Sequence, residues 1–537
     1  MGQFTRRKLL GSVPATALGL AGLGQSGTNT HAIALQETLD DDQTLRLVSW
    51  AQPTTLRPSN EGGPLGMMTL HTFMTAFYED DQGALVPGIC TDWSASDDGL
   101  IYTLTMDPRA KFSDGTQVTA ADLKFSWEYL TLPETQSWAT SLVTAPIVGY
   151  DDVVNGTATE LTGLVALDEA TLQITLSEPF TPFIKAITIN VAGVVKKENV
   201  LSGENWDENP ICCGPYKVES WDRDAGVVNW VPNEHWWGTP PTILRVNYRY
   251  VADINTQSIM YDNDEVDVIP VDGILAAQMK SGPHAAELIP VPQGGNYFFN
   301  FDTSRAPMED VNVRRALLKA SDMGTIVQAI FQGGVRPAYG LTTPNIAGFA
   351  DPSTYFDPEG AKQALVESSY GSADNLPPIS VRVGTNLTEY VRVAEALQQM
   401  WKDVLGIEIT ISLRAPSEEA DDGIAQIFRR SVGNAYNDPT VIVTSLGSSK
   451  GSNMSFVKAT NHEVDAILAE ANTLPLTEVD ERIRLSQQAE QILMDQAYYI
   501  PIVWTEVYFA TKPWVIGVKA NSSLGLYTLP EMSIAEH

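Results

Sequence analysis

The sequence predicts an α/β protein built of two or three lobes, and three observations predict it. The second half contains a β-α-β unit. Ile379, Val381 and Val383 alternate as a strand, Val393, Leu397, Met400, Trp401 and Val404 recur at helical spacing, and Ile407, Ile409, Ile411 and Leu413 alternate again after Gly406. Such a crossover demands parallel strands and a right-handed connection, with helices on the sheet faces. The first half is mixed and strand-rich, its apolar residues alternating in short runs. The chain also has 537 residues, about three times the ~150 usual for one domain. With 43% hydrophobic and 19% charged residues, it has the composition of a soluble globular protein.

Taken in chain order, Leu45 and Leu47 alternate with polar residues into Trp50, a half-buried strand, and a Pro/Gly/Asn loop runs from Pro53 to Gly66. Tyr102, Leu104 and Met106, then Leu172, Ile174 and Leu176, repeat the period of two, and Val227 to Val231 and Val246 to Val251 are β-rich. Thr119 and Asp122 form a capping-box start before Leu123, Trp127 and Leu130 on one helical face. Val313, Ala316, Leu317 and Ala320 mark another helix, and Gly333 with Gly334 ends the helical stretch after it. Two late helical patterns, Val464 to Ala471 and Val479 to Leu493, precede a strand-like Ile500 to Trp504. No internal repeat of 20 to 50 residues interrupts this order.

The first 32 residues read as an address. Arg6 and Arg7 precede a weak, glycine-rich apolar stretch from Leu18 to Leu23, and small residues follow up to Ala32 or Ala34, the pattern of a twin-arginine export signal. No later segment reaches ~18 uninterrupted apolar residues, so no membrane span is expected. Cys90 is the earliest cysteine, leaving nothing near the cleavage site to accept a lipid anchor. Periplasmic residence follows in a cell with two membranes. That oxidising compartment permits one disulfide, from Cys90 to Cys212 or Cys213, the alternative being three buried free thiols.

Most chemistry is excluded. A net charge of −32 repels phosphate backbones, so no nucleic-acid partner is expected. The six histidines are too far apart for zinc-hydrolase spacing, and neither a G-x-S-x-G elbow nor a phosphate-cradling loop occurs. Gly22, Gly24 and Gly27 match a dinucleotide fingerprint only inside the export segment, without a preceding strand. Asp262, Asp264 and Asp267 lack the glycine and closing glutamate of a calcium loop, so neither metal nor cofactor is expected. Among 66 acids, carboxylate pairs cannot identify a secreted hydrolase. Trp236 with Trp237, the run Tyr297 to Phe299, and Trp504 offer flat apolar faces that suit either a ligand or a core.

Several segments then resemble the solute-binding proteins of peptide-type ABC importers, solute-binding protein family 5, from about Leu45 to Val518. The most specific is LVPGICTDWSASDDGLIYTLTMDPRAKFSDGTQVTAADLKFSWE, Leu85 to Glu128. It carries Pro87-Gly88, Trp93, Asp97-Asp98-Gly99, Tyr102, Phe112, Asp114-Gly115, Ala121-Asp122 and Ser126 in family order. GPYKVESW from Gly214, NEHWWG from Asn233, DEVDV from Asp264, FNFDTSRAPMEDVNVRRALLKASD from Phe299, FDPEGAKQAL from Phe356, YNDP from Tyr436 and YYIPIVW from Tyr498 follow.

The resemblance implies a periplasmic binding protein-like fold of type II in its three-lobe form, two hinged α/β lobes with an additional inserted lobe. By analogy lobe I comprises 33–85, 178–294 and 500–537, lobe II 86–177 and lobe III 295–499, with the hinge near Gly294-Gly295 and near Ile500. It implies a monomeric receptor, not an enzyme, that hands a peptide or other small molecule to membrane permease and ATPase subunits. An oligosaccharide or other neutral solute is the alternative cargo. The expected ligand contacts are Tyr297 and Phe299 as walls, Asn434, Tyr436 and Asn437 as hydrogen-bonding groups, Trp504 near the hinge, and Asn60 and His71 on early loops. Three departures stand out. Ala435 replaces the aspartate that in peptide-binding members receives the α-amine. Cys212-Cys213 replaces the usual Gly-Thr, and Leu56-Arg57-Pro58 replaces Leu-Asp-Pro. A buried ammonium without a carboxylate is costly, so Ala435 argues against ordinary α-amine capture.

Overall fold

Strand and helix propensities along the chain resolve into one large mixed sheet clothed by helices. The structure, a computed structural model, describes residues 38–60, 66–80, 83–385, 387–415, 423–449, 451, 453–520 and 529–537. The export segment predicted for residues 1–32 lies outside them. We label the ten longer strands of the large sheet in chain order: β1 (Thr44–Ser49), β2 (Tyr216–Asp222), β3 (Val227–Pro232), β4 (Arg245–Tyr250), β5 (Val268–Val271), β6 (Leu288–Phe301), β7 (Ile379–Gly384), β8 (Ile409–Arg414), β9 (Ile427–Gly433) and β10 (Tyr499–Thr511). Their order across the sheet is β8-β7-β9-β6-β10-β5-β1-β4-β3-β2, and the two-residue strand Arg336–Pro337 adds to β10.

The predicted β-α-β unit is present. β7 and β8 are parallel, from Ile379 opposite Ile409 to Gly384 opposite Arg414. The helix between them is Thr388–Leu405, ended by Gly406 in the left-handed conformation at φ 72°, where a side chain would be strained. Val393, Leu397 and Trp401 turn inward from it. The expected strand at Ile500 to Trp504 is longer than its apolar run indicates, because β10 carries on to Thr511 with polar residues in its second half.

That length matters, since β6 and β10 each serve two half-sheets. Leu288 to Val291 of β6 pairs with Ala510 to Val507, next to β5. After a register shift between Val291 and Gly294, β6 pairs with β10 from Glu506 back to Tyr499, and its other edge takes β9 from Gly433 to Ile427. One half-sheet is therefore β5-β1-β4-β3-β2, the other β8-β7-β9, and the two long strands cross between them.

A separate antiparallel sheet has the order Cys90–Ala95, Ile101–Met106, Thr171–Thr175, Leu164–Asp168. It lies beside helix Ala120–Thr131, whose predicted capping box is complete: the Thr119 hydroxyl accepts from the Asp122 amide, and Asp122 Oδ2 accepts from the Thr119 amide at 2.9 Å. One apolar cluster joins Leu104, Trp127 and Phe183 from this region to Phe298 of β6, Tyr436 of the loop after β9, and Ile442 and Leu485 of later helices. Period two divides β6 between cores. Phe299 and Phe301 face the helices Val311–Lys319, Met323–Phe331 and Thr388–Leu405, whereas Phe298 packs edge-on against Tyr499 at 5.0 Å.

The disulfide expectation is corrected here. Cys90, Cys212 and Cys213 are all free and buried. Cys90 Sγ lies 3.7 Å from the Met106 sulfur, Cys212 Sγ contacts the Pro210 carbonyl, and Cys213 Sγ contacts the Val194 carbonyl, so each occupies its own apolar niche. Burial pushes the Cys212 thiol up to about 12 and the other two higher still, which makes them inert small hydrophobes.

Candidate functional site at the strand crossover

Ligands of α/β sheets bind beyond the carboxyl ends of the parallel strands. In one half-sheet β7 runs parallel to β8 and β9, and its partners end at Arg414 and Gly433. In the other, β1 runs parallel to β4 and β5. Val271 at the end of β5 sits opposite Tyr508, and Gly433 at the end of β9 sits opposite Gly295, itself opposite Thr505. Both sets of carboxyl ends thus converge on the middle of β6 and β10, from Gly294 to Tyr297 and from Val503 to Tyr508.

Gly433 is exposed, and a Cβ there would meet nothing within 4 Å. Gly294 is the opposite case: a Cβ would lie 2.1 Å from Asn345 Oδ1, so glycine is what lets the Thr343–Asn345 loop close onto the crossing. Asn434 belongs to that closure. Its amide nitrogen donates to Thr343 Oγ1 at 2.7 Å and Asn345 Oδ1 at 2.9 Å, its backbone N–H donates to the Gly294 carbonyl, and its buried Oδ1 has no partner among the described residues. Trp504 is buried, edge-on to Phe349 at 5.1 Å and beneath the Arg336 guanidinium at 5.1 Å, its indole N–H unpaired among the described residues.

Tyr297 stands in an arrangement that motif reading missed. The Arg429 guanidinium lies 4.2 Å from the Tyr297 ring and 4.3 Å from the Tyr390 ring, and the two rings are 5.1 Å apart. Burial raises the Tyr390 hydroxyl above its ordinary range, and Arg429 opposes that rise. Among the described residues no carboxylate pairs with Arg429; its charge is held by the two ring faces and by a hydrogen bond to the Tyr390 hydroxyl. The available signal was a charged residue two positions after Ile427 in a strand, where period two calls for a core side chain.

Asp438 and Glu490 near the crossover are already engaged, whereas Glu506, opposite Gly294, is half-exposed and accepts from the Tyr508 hydroxyl. Both oxygens of Asp438 accept from Arg482 Nη2, at 2.8 and 2.7 Å, with each side chain only 1% exposed. Asp438 Oδ1 also accepts from the Thr440 amide and hydroxyl, and Arg482 Nη1 donates to the Ala471 carbonyl. Glu490 accepts from the Leu341 and Thr342 amides.

The other expected contacts fall elsewhere. Phe299 is fully buried in the helix-covered core, because it shares a sheet face with Phe301; the wall assigned to it is a packing residue. Tyr436 is buried in the other core. Asn437 is half-buried, its carbonyl accepting from Lys185 Nζ at 2.6 Å. Asn60 is tied to the Thr135 carbonyl and to Ser59; His71 lies in the helix Gly66–Thr72 and not on a loop, its Nε2 accepting from the Leu529 amide, so both hold chain segments together. Asp264 and Asp267, weighed as a calcium loop, instead pair with Lys512 and Arg46.

Residues 84–454 match the model of bacterial extracellular solute-binding proteins, family 5. The chain belongs to that family. This family 5 protein is 29% identical to the periplasmic murein peptide-binding protein MppA of Escherichia coli, over 90% of this chain and 92% of the relative. It is 27% identical to the periplasmic oligopeptide-binding protein OppA of Salmonella typhimurium over the whole of both chains. A probable deoxycholate-binding periplasmic protein of Escherichia coli, YgiS, is 28% identical over 93% and 95%. The solved Escherichia coli MppA structure superposes with a TM-score of 0.78 at 27% identity, covering 93% of this chain and all of that one. The fold is that of type II periplasmic binding proteins, and members of the family bind solutes. No helix among the described residues is long and apolar enough to cross a membrane.

Proposed function

We propose that this protein is the exported receptor of an ABC importer, capturing a peptide-type solute at the crossover of β6 and β10 and delivering it to a membrane permease. The convergence of both sets of strand carboxyl ends on that crossover carries the reading, and the MppA and OppA relatives support it. In this reading lobe I is 33–85, 178–294 and 500–537, lobe II 86–177 and lobe III 295–499. Gly294 and the register shift before it form the hinge. Ligand and closed state stabilise each other, and nothing reacts. The protein works as a monomer and is exported by a twin-arginine-type signal.

Charge narrows the cargo. Arg429, which pairs with no carboxylate among the described residues, offers a cation for a carboxylate. Asp438, the acid beside Ala435, is consumed by Arg482 and so does not replace the missing amine acceptor. The receptor therefore holds its peptide through a carboxylate and does not require a free α-amine, which also favours a peptide over a neutral sugar. Tryptophan fluorescence and small-angle scattering with trialanine, N-acetyl-trialanine and maltotriose test this. Both peptides quench and compact the protein, maltotriose does neither, and the peptides are recovered intact; release of a cleaved product overturns the receptor reading.

A further inference from the structure

We infer that Lys185 is a positioning residue that latches lobe I onto the Tyr436–Asp438 loop of lobe III; the inference rests on the lobe division proposed above. Lys185 lies in the short helix Phe183–Ala186. Its Nζ donates to the Asn437 carbonyl at 2.6 Å and stands 3.5 Å from Glu79 Oε1, in the strand Phe77–Glu79. The Glu79 side chain is fully buried and that of Lys185 is 18% exposed. The buried carboxylate attracts the ammonium and keeps it at this end of the strand. The ammonium thereby becomes a fixed donor aimed across the interface.

Two further contacts run between the same pieces of chain. A Cβ on Gly83, itself at φ +75°, would lie 2.3 Å from Asn437 Nδ2, so the loop after Glu79 meets the Asn437 side chain closely. The Thr181 amide and hydroxyl both donate to the Asn472 carbonyl, at 3.1 and 2.8 Å. Lys185 and Thr181 both address backbone carbonyls, so they read the position of lobe III and not its side chains. Asn437 directly follows Ala435 and Tyr436, in the loop that leaves the open end of β9. Opening returns the ammonium to water, so the bond to Asn437 contributes to the closed state alone.

The test compares hydrogen–deuterium exchange and scattering of the full-length wild type, the double variant Glu79→Gln/Lys185→Met, which removes both charges together, and Gly83→Ala, which pushes Asn437 away by bulk. Amides of 436–438, 440 and 83–86 exchange about tenfold faster in both variants, the size expected for one charge-assisted hydrogen bond. Helices His462–Thr473 and Val479–Asp495 keep their protection, and trialanine dissociates faster. Unchanged exchange at the contact in a wild type that does compact with trialanine overturns the latch alone. A uniform rise across both lobes assigns Lys185 to the fold and overturns it too. A wild type equally compact with and without trialanine removes the clamshell reading, and the latch with it.

Discussion

Replacing Arg482 with methionine removes a guanidinium that is 1% exposed and bonded at once to both oxygens of Asp438 and to the Ala471 carbonyl. Exposed ion pairs contribute ~0–1 kcal/mol, but here no solvent replaces the lost partner. Breaking a buried pair from one side costs about 3–5 kcal/mol, because the surviving carboxylate stays uncompensated. Against a total stability of about 5–15 kcal/mol, that is a large fraction. The Thr440 amide and hydroxyl still serve Asp438 Oδ1 and keep the loss toward the lower figure. Urea unfolding of wild type, Arg482→Met, Asp438→Asn and the double variant gives the coupling directly. The double variant recovers at least ~1 kcal/mol relative to Arg482→Met, since no charge is then buried alone. A single variant that loses under ~1 kcal/mol, or a double variant equal to the sum of the singles, refutes the claim that this pair is dry and coupled.

Other outcomes follow from the same geometry. N-acetyl-trialanine binds within about threefold of trialanine if no carboxylate takes the amine; a loss beyond tenfold, ~1.4 kcal/mol, restores an amine site and contradicts the role given to Ala435. Arg429→Met weakens peptides with a free carboxylate by about tenfold and leaves their C-terminal amides unaffected, as calorimetry with both forms will read. Phe299→Ala lowers unfolding stability by about 3–5 kcal/mol through a core cavity, while trialanine affinity measured well below the melting temperature stays within twofold. Ellman titration without reductant finds three thiols after denaturation and almost none in the native protein; fewer than three after denaturation contradicts the free-thiol assignment.

The β-α-β unit was legible because Gly406 and the two periodicities agree over 35 consecutive positions, from Ile379 to Leu413. The capping box at Thr119 was legible for the same local reason. The length of β10 was not, since its second half owes its conformation to pairing with β5 and β6, partners more than 200 residues away in the chain. At the site, aromatic runs drew notice to Phe299, but the face a strand residue takes depends on which helices cover the sheet, and only assembly decides that. Arg429 escaped for the converse reason: its partners Tyr297 and Tyr390 come from separate elements. The Asp438–Arg482 pair spans 44 positions and carries no spacing rule that would single it out among 66 acids.

Since Leu288–Phe301 and Tyr499–Thr511 run side by side through the middle of the molecule, they act as a pair of rails. Twisting or sliding one half against the other would shear the ladder between the rails, whereas flexing across them bends both together. In the clamshell reading proposed above, this leaves a single soft coordinate, and cargo occupancy maps onto one distance. Two reporter dyes, placed at the outer strands β8 and β2, turn this receptor into a ruler whose reading changes along that coordinate alone.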